Sequence, residues 1–380
     1  MVTQHMEQPK ITFGMIVLNG EPFLRYNLRA LYPYAHQIIV AEGASPLAAS
    51  AASPDGHSTD GTLHLLRQFK QEEDPENKLT IVTAEDEGHP NGFWPGEKDE
   101  QSQAYARRAT GDWLWQVDID EFYQPDDMAR LCDYLQLNPV VTCLTFNAHH
   151  FWGGFDYEAT GGIYRSIRFQ GEPGGAYRRV FRWGDGYRYK THRPPTVLDD
   201  QGRDTARQML HNVTRVLGIR MYHYSMVFPF QMSSKSAYYQ NRGSVGKGMV
   251  ARNNSLAKGV DLRSGIRLSR QFGTYNWLVR FQGIHPPAIQ WLRRDINEGR
   301  LQVELRRVDD IEALLVNPQY LARIRWLNLL EQLRSYWHQA HYVVWAPVRR
   351  FLVLWIRRGY RHLSWLPLPA SVKRKLVYGD

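Results

Sequence analysis

The stretch from Trp113 to Phe122 reads Trp-Leu-Trp-Gln-Val-Asp-Ile-Asp-Glu-Phe, an apolar strand that ends in three carboxylates. In an extended chain Asp118 and Asp120 point to the same side, because they are two residues apart. Carboxylates gathered at the end of a buried strand are costly unless a cation or hydrogen-bond donors satisfy them. Hard divalent ions take oxygen ligands and also bind phosphates. The stretch therefore predicts a metal–diphosphate site at the carboxyl end of a strand.

Strand and helix patterns alternate through the first 150 residues. Short apolar runs predict strands, and between them apolar residues recur at helical spacing. This alternation predicts an α/β fold with a mostly parallel Rossmann-type sheet, whose ligands lie beyond the carboxyl ends of the strands. The predicted strands are Ile11–Leu18, Gln37–Ala41, Leu79–Thr83, Trp113–Asp118 and Val140–Phe146.

The rest of the chain differs in composition. From Gly153 the sequence becomes rich in Gly and aromatic residues, and residues 205–260 contain no acidic residue but eight Lys/Arg. We predict three regions: a nucleotide-binding half over 1–150, a smaller irregular or antiparallel acceptor half with a basic mobile loop over 151–300, and a basic, Trp-rich helical extension over 301–380.

Cysteine usage and the N-terminus bear on the compartment. Cys132 and Cys143 are too few for a disulfide framework and lack metal-site spacing. Residues 1–10 are polar and offer no apolar stretch of the kind found in signal peptides, and no window is long and apolar enough to span a membrane. The expected location is cytoplasmic.

The net charge of +9 belongs to the end of the chain. Residues 321–380 hold eleven Lys/Arg against Glu331 and Asp380, and the preceding residues balance. Basic residues occur there together with five tryptophans, a composition typical of helices that lie in an anionic membrane interface. We therefore expect peripheral binding to the inner face of the cytoplasmic membrane. An oligomer interface or packing on the catalytic core is the alternative; nucleic acid is not expected, because no recognition motif occurs.

Three further motifs agree with the acidic stretch in order and spacing. They are Ile16–Glu21, the pair formed by Ile38–Glu42 and Ser58–Thr62, and Ala109–Trp113 before the acidic residues. Together they resemble the D-x-D type glycosyltransferases of the GT-A fold, particularly the bacterial family-2-like enzymes. Glu42 stands where that family usually has Asp, and an insertion at 46–57 splits the second motif.

The resemblance implies a metal-dependent, inverting transfer of a sugar from a nucleotide diphosphate, with a UDP-sugar favoured, to a glycan or lipid-linked acceptor of the cell envelope or surface. Mn²⁺ or Mg²⁺ would be held by Asp118 and Asp120, Asp120 more directly, with His223 as a third ligand. The residues implied for donor binding are Asn19, Glu21, Glu42, Asp60, Lys98 and Asp118, and those for a lid over the diphosphate are Lys235, Arg242 and Lys247.

The catalytic base stays open. Arg178–Arg182 followed by Tyr189–His192 resembles the "R-L-F-R … H-E" segment of lipopolysaccharide-core-type transferases, but Arg193 stands in place of the Glu. An inverting mechanism usually needs a carboxylate to take the acceptor's proton. The candidates are Asp156, Glu172, Asp185 and His192.

Other functions fit the same residues less well. A phosphatase of the D-x-D-x-T type is disfavoured because position 122 is Phe, and a nucleotidyltransferase because no Gly- and Arg-rich loop follows the first strand. A non-catalytic scaffold of the same fold, binding membrane or glycan, is the remaining alternative.

Overall fold

The computed structural model describes residues 8–96, 98–161, 177–240, 259–266, 275–340 and residue 348. The chain divides into two compact units, Met1–Leu321 and Ala322–Asp380. In the first unit a seven-stranded sheet has the strand order β12-β6-β9-β4-β1-β2-β3. Its strands are β1 Ile11–Val17, β2 Gln37–Glu42, β3 Leu79–Val82, β4 Trp113–Gln116, β6 Cys143–Phe146, β9 Tyr177–Arg182 and β12 Leu210–Asn212.

The sheet is parallel except at one strand. β1 pairs in parallel with β2 and β4, β2 with β3, and β12 with β6, whereas β9 runs antiparallel between β4 and β6. The predicted α/β fold with a mostly parallel Rossmann-type sheet is confirmed. β9 and β12 come from the part of the sequence predicted as the acceptor half, so that part also contributes strands to the main sheet.

Two smaller sheets accompany the main one. A five-stranded sheet has the order β14-β8-β7-β13-β5, and β10 pairs with β11 as a separate hairpin. Their strands are β5 Glu121–Phe122, β7 Ala148–Trp152, β8 Tyr157–Thr160, β10 Arg188–His192, β11 Pro195–Leu198, β13 Met221–Met226 and β14 Trp277–Arg280. β5 begins at Glu121, the last of the three acidic residues, so the chain passes from the main sheet to this second sheet at the acidic stretch after β4.

Helices connect the strands as the apolar periodicity predicts. They are α1 Leu24–Leu31, α2 Thr62–Glu72, α3 Lys98–Arg107, α4 Pro125–Leu137, α5 Val213–Leu217, α6 Pro229–Gln240, α7 Pro287–Asn297, α8 Asp309–Leu315 and α9 Pro318–Ala340. Helices α1, α2 and α4 each bury one largely apolar face, as Leu24, Leu28 and Leu31 do in α1. Within the ranges described above, no helix has the length and apolarity that crossing a bilayer requires.

Candidate active site

The three carboxylates lie on a tight turn. β4 ends at Gln116, and the amide of Glu121 donates to the carbonyl of Asp118 (3.0 Å). β5 then pairs with β13, with Glu121 opposite His223. The prediction that Asp118 and Asp120 share one side of an extended strand is wrong, because pairing with β13 requires the chain to turn out of the main sheet. The turn still presents both aspartates at the carboxyl end of β4.

Arg179 on β9 holds this turn from the neighbouring strand. Its Nε donates to Glu121 Oε2 (2.8 Å), and its Nη2 donates to Glu121 Oε1 (2.5 Å) and to Asp118 Oδ2 (3.1 Å). The Glu121 side chain is fully buried and Arg179 is 4% exposed, whereas the Asp118 side chain is 33% exposed. Such two-point contacts fix orientation as well as charge. Both carboxylate oxygens of Glu121 thus accept from Arg179, while Asp118 remains partly exposed and accessible to a ligand.

The two carboxylates that share Arg179 differ in their acidity. Burial raises the pKa of Glu121 and outweighs the attraction of Arg179. At Asp118 burial acts in the same direction, but Arg179 and Lys98 outweigh it and hold the pKa well below its usual range. Burial lowers the pKa of Lys98 against the attraction of Asp118. Asp118 is therefore ionised at neutral pH, because the charges of Arg179 and Lys98 stabilise the carboxylate.

Asp120 faces the second sheet and α6. Its Oδ1 lies 3.5 Å from His223 Nε2, and its Oδ2 lies 3.8 Å from Lys235 Nζ, which donates to the carbonyl of Ser225 (2.7 Å). Burial raises the pKa of Asp120, but His223 and Lys235 outweigh it and lower the pKa. The buried Nδ1 of His223 has no hydrogen-bond partner within the described ranges. The structure thus brings Asp120 together with His223 and Lys235, which lie about a hundred residues later in the sequence.

His192 closes the site on the side of α3. Its Nδ1 lies 2.9 Å from Ser102 Oγ, and its amide donates to Asp99 Oδ1 (2.6 Å). Burial and the nearby Lys98 lower the pKa of His192 to about 3, against the attraction of Asp118. The ring is therefore neutral at pH 7.

The other base candidates have different surroundings. Asp156 is exposed and pairs with Arg293 on α7 (3.0 Å). Asp185 lies exposed in the turn between β9 and β10, and Glu172 lies outside the described residues. His192, by contrast, is buried, and Asp118 acts on its charge.

The residues predicted to bind the nucleoside form hydrogen bonds between the loop after β1 and the segment before α2. The backbone N–H of Asn19 donates to Ser58 Oγ (2.9 Å), and the side-chain Oδ1 of Asn19 accepts from the backbone N–H of Thr59 (2.8 Å). Asp60 accepts from the amide of Glu21 (2.9 Å) and from the Thr62 hydroxyl (2.6 Å). Asn19 and Asp60 thus hold their own loops, which limits how much of each remains for a ligand.

Glu42 sits at the end of β2 with its side chain fully buried. Its Oε1 accepts from the amide of Ser58 (2.8 Å), and its Oε2 lies 2.8 Å from His57 Nδ1. His57 Nε2 lies 3.3 Å from Glu85. Burial lowers the pKa of His57, but Glu42 and Glu85 outweigh it and the pKa is raised. The 46–57 insertion folds back so that the two parts of the motif, separated in sequence, meet.

Glu21 is half-buried beside Asp60. Burial, with the charge of Asp60, raises the pKa of Glu21 to about 7, and Arg25 opposes this shift. Its Oε1 has no hydrogen-bond partner in the part of the chain that the structure describes. Glu21 therefore carries a proton for much of the time at neutral pH.

Of the three residues predicted to form a lid over the diphosphate, the structure describes one. Lys235 is on α6 at the site, while Arg242 and Lys247 lie outside the described residues. Among the residues that the structure describes, no group of three or more His, Cys, Asp or Glu side chains is arranged so that it could hold a metal ion by itself. Two carboxylates completed by substrate phosphates are the usual way in which Mg²⁺ is bound. Asp118 and Asp120 fit that mode, and the imidazole of His223 lies beside Asp120, with Nε2 3.5 Å from Oδ1.

Sequence reasoning missed Arg179, Glu121 and His57. Arg179 stands inside a motif that had been noticed, Arg178–Arg182, but nothing local says that this strand inserts beside β4. A charged residue flanked by buried apolar ones, here Val180 and Phe181, is the signal available from sequence, because a buried arginine requires an acidic partner.

Comparisons with known proteins give only distant likenesses. No family model matches the chain, and no curated protein matches it. Among solved structures, S. aureus TarS 1–349 has a TM-score of 0.35 and 11% identity over 70% of this chain and 74% of that one. Its complex with UDP-GlcNAc gives a TM-score of 0.34 and 11% identity over the same shares. Glucosyl-3-phosphoglycerate synthase from Mycobacterium tuberculosis, in complex with Mn²⁺, UDP and glucosyl-3-phosphoglycerate, has a TM-score of 0.26 and 16% identity over 38% of this chain and 44% of that one. Likenesses this weak assign no activity to this chain.

Proposed function

We propose that the protein is a metal-dependent glycosyltransferase that takes a sugar from a nucleotide diphosphate donor, a UDP-sugar in the first place. The observation that carries this proposal is the pair Asp118 and Asp120 at the carboxyl end of β4, with Lys98 and Lys235 beside them. Ligands of open α/β sheets bind at that edge. A site that combines two ionised aspartates with lysines suits a metal and a diphosphate bound together.

The roles follow from the contacts. Asp118 and Asp120 would hold Mn²⁺ or Mg²⁺ with His223 beside them, and such an ion neutralises the leaving diphosphate when bound. Lys235 Nζ lies 3.8 Å from Asp120 Oδ2, and Lys98 interacts electrostatically with Asp118, so both lysines would donate to the diphosphate oxygens. Arg179 keeps Asp118 in place. Each of these groups is fixed by a strand end or a helix before the donor arrives.

The nucleoside would lie against Glu42, Asp60 and Asn19. Both oxygens of the fully buried Glu42 carboxylate are engaged, one by His57 and one by Ser58, so Glu42 would act on a nucleoside by holding these two residues in place. Glu21, whose pKa is raised to about 7, could donate when protonated and accept when ionised at the same edge.

For an inverting transfer the acceptor needs a base, and none of the described candidates fits it fully. His192 is the candidate beside Asp118, but a pKa of about 3 makes it a weak base at neutral pH. We propose that it orients the acceptor by a hydrogen bond. The acceptor proposed is a glycan or lipid-linked glycan of the cell envelope, because the basic residues 321–380 would bring the enzyme to an anionic membrane surface.

Thermal unfolding with UDP, GDP, dTDP and CMP, each with and without Mn²⁺, tests the proposal. A ligand at a hundredfold over its Kd adds about 2.7 kcal/mol, which moves a Tm by a few degrees. We expect a Mn²⁺-dependent shift with one diphosphate that is lost in Asp120→Ala, followed by release of that diphosphate from its sugar donor. Absence of any shift with any of the nucleotides would favour the non-catalytic scaffold.

A further inference from the structure

Helix α9 carries an exposed apolar stripe along the part that lies in the second unit. Trp326, Leu333 and Trp337 are 58, 55 and 67% exposed. Successive helix residues are rotated by about 100°, so side chains three, four and seven apart share a face. The full stripe consists of Trp326, Leu329, Leu330, Leu333, Tyr336 and Trp337, all exposed.

The stripe is confined to one side of the helix. At this rotation its six members fall within about 120° of the circumference. Ile324 is buried, and Leu327 and Glu331 are half-buried, on the opposite side. Six large apolar side chains held in water on one face form a contiguous patch of the kind that marks an interaction surface.

Positive charge borders the stripe on both edges. Arg323 and Arg325 are exposed, and the helical rotation puts Arg323 just beyond the edge formed by Leu330 and Arg325 just beyond the edge formed by Tyr336. Glu331, the single acidic residue in the α9 sequence, is on the other side. The 40 residues after α9 add eight Lys/Arg against Asp380. The surface therefore combines tryptophan and leucine with a positive border.

We propose that this stripe of α9 is the face by which the protein lies on an anionic lipid bilayer. Tryptophan and leucine enter the interface while the bordering arginines meet lipid phosphates, each basic residue near the surface being worth about 1 kcal/mol. A second copy of the chain fits less well, because pairing two stripes would offer Arg323 and Arg325 no acidic partner. The inference rests on the proposed function in one respect: it names the surface on which a lipid-linked acceptor would be met.

Vesicle co-sedimentation of the full chain tests the face directly. Phosphatidylcholine vesicles with and without phosphatidylglycerol are compared for wild type, for Leu333→Glu/Trp337→Glu on the stripe, and for Leu137→Glu/Val140→Glu. The last pair is the matched control, because Leu137 and Val140 are each 66% exposed but lie at the end of α4 and just after it. We expect wild type and control to pellet only with the anionic vesicles. The stripe variant should bind these vesicles at least about tenfold more weakly.

Equal pelleting of the stripe variant and wild type would overturn the inference. So would a stripe variant that changes from dimer to monomer in sedimentation velocity while its vesicle binding is unchanged, which would assign the stripe to a second copy. Mn²⁺-dependent UDP binding is measured on the same proteins without vesicles. If that binding is absent in wild type while the vesicle result holds, the proposed function fails and the lipid-binding face stands.

Discussion

The buried pair of Arg179 and Glu121 gives the sharpest test of what holds the acidic turn. Both side chains are out of water, with Glu121 fully buried, and three hydrogen bonds join Arg179 to Glu121 and Asp118. Removing one partner of a buried ion pair leaves an uncompensated charge, which typically costs about 3–5 kcal/mol. We therefore expect Arg179→Met to lower the free energy of unfolding by about 3–5 kcal/mol.

The double variant Arg179→Met/Glu121→Gln separates the interaction energy of the ion pair from the effects of the two single substitutions. It removes both charges and keeps an acceptor for the amide of Asp118, which lies 3.3 Å from Glu121 Oε2. Replacing a buried ion pair by neutral groups of similar size is often neutral or stabilising. The double variant should therefore regain about 2–3 kcal/mol relative to Arg179→Met alone, a coupling typical of residues in contact.

Urea unfolding at pH 7 in EDTA is measured for Arg179→Met, for Glu121→Gln and for the double variant, with the m-value as the check that the transition stays comparable. Addition of the two single effects in the double variant would refute the reasoning, because it would mean that the two charges do not compensate each other. A second readout is Mn²⁺ affinity in the double variant. We expect a fall of about tenfold, because Asp118 loses the contact that orients it.

The remaining predictions concern Glu21 and Lys235. Since the pKa of folded Glu21 is raised to about 7, above its unfolded value, its contribution to stability is present below about pH 4.5 and is lost as the pH rises through 7. In urea unfolding, the free energy of unfolding of Glu21→Gln relative to wild type should rise by about 1–3 kcal/mol from pH 5 to pH 8. Glu304→Gln, at an exposed position, is the control, and an equal rise there would contradict the assignment. Lys235→Gln should weaken Mn²⁺-dependent UDP binding about tenfold in calorimetry by removing a charge-assisted donor, and unchanged affinity would remove Lys235 from the diphosphate site.

Much of the main sheet was predictable from local pattern. The runs at Ile11, Gln37 and Leu79 are apolar and short, and periodic helices follow the first two, so strand positions follow from burial alone. The carboxyl end of β4 was likewise predictable as a charged edge, because its acidic residues follow a largely apolar segment.

The arrangement of the acidic residues was not predictable in the same way. Whether Asp118 and Asp120 follow an extended or a turned path depends on β5 pairing with β13, a hundred residues later in the chain. The position of Arg179 depends on β9 entering the sheet antiparallel between β4 and β6. Both are long-range pairings, and the period of a single strand contains no information about its neighbours.

The two parts of the nucleoside motif show an intermediate case. The insertion at 46–57 reads as a flexible loop by composition, yet His57 and Ser58 at its end both contact Glu42. A longer acid in place of the usual Asp and a histidine at the end of the insertion are visible in the sequence. Their contact becomes visible only once the loop is folded.

The proposed donor site is tested most directly by calorimetric titration of UDP into the full chain, with and without Mn²⁺, in wild type and in Asp120→Asn. Asn keeps the size of the side chain and removes the charge that Mn²⁺ requires. We predict that wild type binds UDP with Mn²⁺ and at least about tenfold more weakly without it, and that Asp120→Asn abolishes the difference. UDP binding of equal strength with and without Mn²⁺, or an unchanged Mn²⁺ effect in Asp120→Asn, would contradict a metal–diphosphate site at the end of β4.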